Sequence, residues 1–380
     1  MTALPEESFK NSKVDYVLTG GDYDFLLLNL VEHLVKGVKF ESGIWYRKPS
    51  NIKPQASSIV NTGKFLLNHD LNKLPFIDRE LTKWKLYAYE NGNYERTPGT
   101  YIMAGRDCWW RRNRGCKFCA WTVLYPTYRV RKPEKVLDEI GELIEKCKVR
   151  EIMDDTGTFP AGEWLQEFCQ GMIKRGYNKK IYFDCNLRFG VLTKKDYRLM
   201  AKAGFRFLLY GLESANQETV DRLNKGIKIA AIEKELRIAK EVGGHLEPHV
   251  TCMVGYPWES KRGAEKTIAL TRSLFDKGLI DSLQATIVIP YPGTALFAEC
   301  EKNGWLKTHD WDKFDMSQPV MKTPMKDREV MQLTQGLYES FLTPRFLVRK
   351  IISIRSFDDL TFFYRAAKAV LGHLSDFART

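Results

Sequence analysis

The chain has no long hydrophobic run. Its longest apolar stretches, such as Phe25–Val31, fall far short of a bilayer span. Met1 to Lys13 is polar and holds Glu6, Glu7 and Lys10, which does not read as a signal peptide. There is no tandem repeat and no low-complexity tract. Eight cysteines in 380 residues are too few for a secreted disulfide framework. A reducing cytoplasm is the compartment these absences leave as the expectation.

What is present is ordinary for a soluble globular protein with a sizeable core: 44% hydrophobic and 28% charged residues. The net charge of +12 permits contact with nucleic acid, anionic lipid or a phosphorylated substrate, but selects none of them. Spread over the whole length, it reads first as a basic, solvated surface.

The sequence divides into three stretches, 1–100, 101–305 and 306–380. In the first, Val14–Leu18 reads as a strand ending at Gly20-Gly21, and Asp24–Lys36 as an apolar-rich helix stopped by Gly37. Gly43–Gly99 suits hairpins and extended linker. The middle stretch alternates strand and helix signals six times, with strands expected at Tyr101–Ala104, Val149–Met153, Lys180–Cys185, Phe205–Tyr210, Leu246–Val254 and Ser282–Ile289. Such an α/β order predicts a parallel sheet with helices outside, closed as a partial (β/α)6 TIM-like barrel. The last stretch reads as a helical, basic C-terminal extension. There Arg345, Arg349, Lys350 and Arg355 accompany Phe346, Leu347, Ile351, Ile352 and Ile354. A helical hairpin packed on the barrel is the first reading of this stretch, and peripheral contact with an anionic membrane the second.

Three cysteines carry the chemistry. Cys108, Cys116 and Cys119 lie in Cys108-Trp-Trp-Arg-Arg-Asn-Arg-Gly-Cys116-Lys-Phe-Cys119, with no fourth cysteine nearby. Three thiolates suit an iron–sulfur cluster or zinc. A four-iron cluster held by three cysteines leaves one iron open to a ligand. In parallel α/β folds the ligand site lies at the C-terminal strand ends. Here the ends carry the cysteines, Asp154-Asp155, Asn186 and Arg188, Glu213-Ser214, Gly255 and Glu259, and Pro292-Gly293-Thr294. Singly, each of these reads as loop capping or a salt bridge; together they mark a common mouth. Trp121, Tyr125, Tyr256, Trp258 and Tyr291 add aromatic surface and suggest an apolar or planar ligand. The remaining cysteines, Cys147, Cys169, Cys185, Cys252 and Cys300, read as core or helix thiols.

This pattern resembles the radical S-adenosylmethionine (radical SAM) enzymes, in particular the subfamily with an N-terminal cobalamin-binding domain. The resemblance rests on Cys116-Lys-Phe-Cys119, Asp154-Asp155, Glu213-Ser214, Gly255, Glu259 and Pro292-Gly293-Thr294, and covers about residues 100–305. It implies that Cys108, Cys116 and Cys119 hold three irons of a [4Fe–4S] cluster whose fourth iron is chelated by S-adenosylmethionine. Reductive cleavage would then give a 5′-deoxyadenosyl radical that takes hydrogen from a small or lipid-like substrate, with an electron donor such as flavodoxin or ferredoxin. Asp154, Asp155, Arg188, Glu213, Gly255 and Glu259 become the expected ligand-binding residues. The first gap departs from the family's commonest pattern: seven residues stand between Cys108 and Cys116 where three are usual.

Val14–Leu18, Gly20-Gly21 and the following helix look like the last unit of a cobalamin-binding domain, so 1–100 is read as a truncated remnant. The cobalt-binding Asp-x-His-x-x-Gly motif is absent, and one strand–helix unit does not enclose a corrin. The balance is against cobalamin in this chain unless another chain supplies the domain, and methyl transfer stays open with it. An RNA-modifying radical SAM enzyme, a non-enzymatic zinc or nucleic-acid-binding protein, and an inactive paralogue are the alternatives; no nucleic-acid-binding module is visible.

Overall fold

The computed structural model describes residues 2–48 and 58–378, the side chains of 369–371 and 373–378 excepted. The expected hairpin region from Gly43 to Gly99 is therefore described apart from 49–57, and the basic C-terminal stretch apart from those side chains and 379–380.

The middle stretch builds one sheet from β1 (Gly99–Ile102), β2 (Glu151–Asp154), β3 (Tyr182–Leu187), β4 (Phe205–Glu213), β5 (Glu247–Val254) and β6 (Ser282–Ile287). The strands lie side by side in chain order and every neighbouring pair is parallel. β1 and β6 remain unpaired with each other, so the sheet is an open half-barrel. The expected α/β partial barrel is thus the observed one. Its central strands are covered on both faces, which is why β2 is buried along its whole length and β4 along most of it, rather than at alternate residues.

The outer helices follow from local signals. Pro133 opens Pro133–Glu142, whose Val136, Leu137 and Ile140 face the core. The chain then widens into one π-turn, Leu143–Cys147, and stops at Lys148 with φ 54°. Thr193 and Asp196 form a capping box, and Ser260 and Thr294 cap the helices that follow them. One expectation changes here. The helical signal from Gln217 to Val242 splits into Gln217–Arg222 and Ile229–Glu241. Asn224 (φ 55°) and Gly226 (φ 65°) take left-handed conformations between them. That break turns Lys225 inward.

At the N-terminal strand ends, buried Arg206 closes the barrel floor. It donates to Glu151 at 2.5 Å and Glu247 at 2.5 Å. The terminal helix Phe357–Ala378 reaches the same end, where Arg365 donates to the Tyr94 carbonyl at 2.7 Å. Helix Asp327–Glu339 covers β6, with the Tyr338 hydroxyl donating to the Ala285 carbonyl at 2.8 Å. With the floor closed, ligand access is left to the opposite end.

Ahead of the barrel, Tyr16–Leu18 pairs antiparallel with Ile44–Lys48, which pairs antiparallel with Ser58–Asn61. Helix Tyr23–Lys36 follows the first of these strands. Asp22 ties this unit to the core through Arg106 and Arg129, each at 2.6 Å. Among the described residues, no helix is long and apolar enough to cross a membrane.

Candidate active site

Beyond the C-terminal ends of β2–β5 lies a cavity of about 220 Å³, and Cys108, Cys116 and Cys119 all line it. The seven-residue gap is folded, not slack. Trp109–Asn113 forms a 3₁₀ turn, and Arg114 and Gly115 reverse the chain at φ 69° and 73°. The Asn224 side chain donates to the carbonyls of Asn113 (2.6 Å) and Gly115 (2.8 Å), while the Trp110 indole donates to the Asn224 carbonyl at 2.7 Å. The backbone of Lys117 is held from both sides, by Leu223 and Leu296. A longer loop thus still delivers its thiols to one wall. Of its arginines, Arg111 lines the cavity but is paired with buried Asp107 at 2.7 Å; Arg112 and Arg114 face solvent.

Two other cations meet the thiols. Arg188, just past β3, lies with its guanidinium 4.2 Å from the Trp110 ring centroid and a nitrogen 4.0 Å from Cys116 Sγ. It also donates to the Lys225 carbonyl, and its Nε is buried without an acceptor. The salt bridge to strand-end acids weighed for Arg188 is not what holds it. Lys225 is buried on the cavity wall with Nζ 2.7 Å from Glu213 Oε1. Burial pulls its pKa down, but Glu213 and Cys116 outweigh that and hold it above the ordinary lysine value. Glu213 ends β4 at φ 65°, and the β4–β5 register shifts beside it. Gly211 has no side chain for a reason: a Cβ there would stand 2.4 Å from both Glu213 Oε1 and Lys225 Nζ.

Asp155 lines the cavity as expected, and Asn186 lies beside it. Asp154 does not. Fully buried, it accepts from the backbone N–H groups of Ala104 (2.6 Å) and Thr156 (3.0 Å) and so fixes the turns after β1 and β2. Burial pushes its carboxyl up to about 7. Glu259 is also buried off the wall; its Oε1 accepts from Ser214 at 2.7 Å and Thr219 at 2.8 Å. Gly255 takes φ 102° and packs toward Val330, which explains the glycine without a ligand. Of the five aromatic residues, Trp121 lines the cavity; Trp110 and Phe118 are further ring walls. Cys185 is buried away from it. Lys225 was missed at the sequence level, although Asn224-Lys225-Gly226 carries the residues that favour a left-handed break.

The donor set fits an iron–sulfur cluster. Burial pushes the Cys116 and Cys119 thiols up, the latter to about 12. Thiolates there need compensating positive charge, which bound iron would supply together with Lys225 and Arg188. Among the described residues no three or more His, Cys, Asp or Glu side chains stand close enough to hold a metal ion as they are, so the fit rests on the shared cavity wall and the thiol chemistry rather than on preset ligand spacing. Thiols spread over a cavity wall suit a multi-iron cube.

Comparison with known proteins bears on the stretch that holds the cysteines. Residues 108–271 match the model of the Radical SAM superfamily, beginning at the first of the three cysteines. Residues 108–271 carry a radical SAM domain. That domain's cofactor set is a [4Fe–4S] cluster and S-adenosylmethionine. The chain is 24% identical over 364 residues to an uncharacterized methyltransferase of Pyrococcus horikoshii, covering 94% of this chain and 74% of that one. It is 27% identical over 353 residues to an anaerobic magnesium-protoporphyrin IX monomethyl ester cyclase of Cereibacter sphaeroides, covering 88% and 52%. The fold matches the cobalamin-dependent radical SAM enzyme OxsB, solved with aqua-cobalamin and S-adenosylmethionine, at a TM-score of 0.65 and 15% identity. All of this chain aligns there with 61% of that one. The chain therefore spans between half and three quarters of the length of these relatives.

Proposed function

We propose that the protein cleaves S-adenosylmethionine reductively and uses the resulting radical on an apolar or planar substrate. The observation that carries this reading is the convergence of Cys108, Cys116 and Cys119 on one cavity at the C-terminal end of a half-barrel. When bound, the cluster and S-adenosylmethionine supply one-electron cleavage of the sulfonium carbon–sulfur bond, giving methionine and a 5′-deoxyadenosyl radical.

The chain's own residues hold and orient. Cys108, Cys116 and Cys119 would ligate three irons. Asp155, exposed in the cavity, would suit the cationic end of the ligand. Arg188 has one buried donor, Nε, without an acceptor, and is the group placed to take a ligand carboxylate. Glu213, engaged by Lys225, is a weaker candidate for direct contact and a stronger one for setting the Lys225 ammonium near Cys116. Asp154 and Glu259 act through the turns they fix. Trp110, Phe118 and Trp121 exclude water around the thiols.

Two relatives are named for different outcomes, one a methyltransferase and one a cyclase. Methyl transfer is the second reading, supported by the methyltransferase relative and the cobalamin-dependent fold match. That reading would bring cobalamin in as a further cofactor. A protein electron donor of the flavodoxin or ferredoxin kind completes the scheme. The test is anaerobic reconstitution with iron and sulfide, followed by reduction in the presence of S-adenosylmethionine. Release of 5′-deoxyadenosine and methionine is expected. Zinc in place of iron and sulfide, with no cleavage, would support the non-enzymatic alternative instead.

A further inference from the structure

The C-terminal helices turn a large apolar face to solvent. On Pro344–Ser353, Ile351 and Ile352 are each 69% exposed and Val348 is 54% exposed. On the first turns of Phe357–Ala378, Phe357 is 78%, Leu360 53% and Tyr364 72% exposed. The first helix is anchored by its opposite edge, where Phe346 packs on Phe275 with ring centroids 5.0 Å apart. Exposure of six large apolar side chains on two consecutive helices is costly in water and marks an interaction surface.

Charge identifies the partner. Between Leu342 and Lys368 the chain carries six cations (Arg345, Arg349, Lys350, Arg355, Arg365, Lys368) and two acids (Asp358, Asp359), a balance of +4. Asp358 is engaged by Arg150, and Asp359 accepts from the backbone of Arg355 and Ser356. Arg345, Arg355 and Lys368 are exposed, and no ion pair is made by them among the described residues. An apolar face edged by unpaired cations is complementary to an anionic lipid surface. A second copy of the chain fits less well, because a two-fold contact would bring these like charges together.

We propose that this face docks the protein on anionic membrane, with Val348, Ile351, Ile352, Phe357 and Leu360 sunk at the acyl boundary and Arg345, Arg355 and Lys368 among the headgroup phosphates. The proposal is independent of the chemistry at the cysteines. The test is sedimentation of the full chain with vesicles of phosphatidylcholine alone and of phosphatidylcholine with phosphatidylserine. Binding to the anionic vesicles alone is expected, weakening as salt rises. R345Q/R355Q/K368Q should weaken it roughly 100-fold, at the usual contribution of a cation near the surface. I351D/I352D should abolish it while leaving the melting temperature in place, since both side chains are exposed. Absence of binding, equal binding to neutral vesicles, or a dimer in solution that I351D/I352D splits would each overturn the proposal.

Discussion

Lys225 Nζ lies 2.7 Å from Glu213 Oε1, with both groups buried on the wall of the cysteine cavity. Removing one partner of a buried pair leaves the other charge uncompensated, at a cost of about 3–5 kcal/mol. Lys225→Met should therefore lower the unfolding free energy of the apo protein by several kcal/mol. The double variant K225M/E213L should recover most of that loss. Denaturant unfolding under anaerobic, reducing conditions reads both; equal losses in the single and double variants would show that the pair is not coupled.

The same pair explains Gly211. A methyl group there would stand 2.4 Å from each charged end. Gly211→Ala should push the two side chains apart and cost at least ~1–3 kcal/mol, as overpacking does. Gly162→Ala offers a contrast, since no atom lies within 4 Å of its Cβ position and the change acts through its φ of 68° alone.

Arg188 lies beside Cys116 and on Trp110. A cation next to a cluster thiolate stabilises the reduced, more anionic state. Arg188→Met should leave the reconstituted cluster in place and lower its reduction potential, measured by redox titration with electron paramagnetic resonance. Arg112→Gln, on the solvent side of the loop, should leave the potential unchanged.

His249 gives a pH signature. Burial alone depresses its imidazole from 6.5 to about 3, and its Nδ1 lies 2.8 Å from Ser282 Oγ. Above the unfolded value it is neutral in both states and its contribution is fully present. As pH falls below 6.5 the unfolded chain gains a proton that the folded one refuses, so stability drops toward pH 3. At pH 4 this amounts to about 3 kcal/mol. His249→Phe should flatten the acid limb of the stability curve, seen as a smaller fall in unfolding free energy between pH 7 and 4.

Much of this was legible because strand order and hydrophobic run length are local properties. Six strand–helix units in a row force a parallel sheet, and β1 to β6 indeed stand in chain order. Cys108, Cys116, Cys119, Asp155, Arg188 and Glu213 line one cavity because strand ends of a parallel sheet share one rim. Sequence does not say which way a strand-end acid turns. Asp154 and Glu259 turn back to hold backbone and hydroxyl groups of neighbouring loops. Lys225 was hidden by a helical pattern running through it, and only the left-handed Asn224 and Gly226 expose it. The antiparallel partner of Tyr16–Leu18 comes from a Pro/Asn/Gly-rich stretch whose pairing is set by tertiary contact rather than by propensity.

The central claim is that three cysteines hold a cluster on which S-adenosylmethionine is cleaved. Cys116→Ala tests it most directly, because Arg188 and Lys225 both converge on that thiol. The measurement is iron and sulfide content after anaerobic reconstitution, with 5′-deoxyadenosine release under dithionite. The account predicts wild-type protein with about four irons per chain and turnover, and a variant that loses both. Full iron, sulfide and 5′-deoxyadenosine release in Cys116→Ala would contradict it.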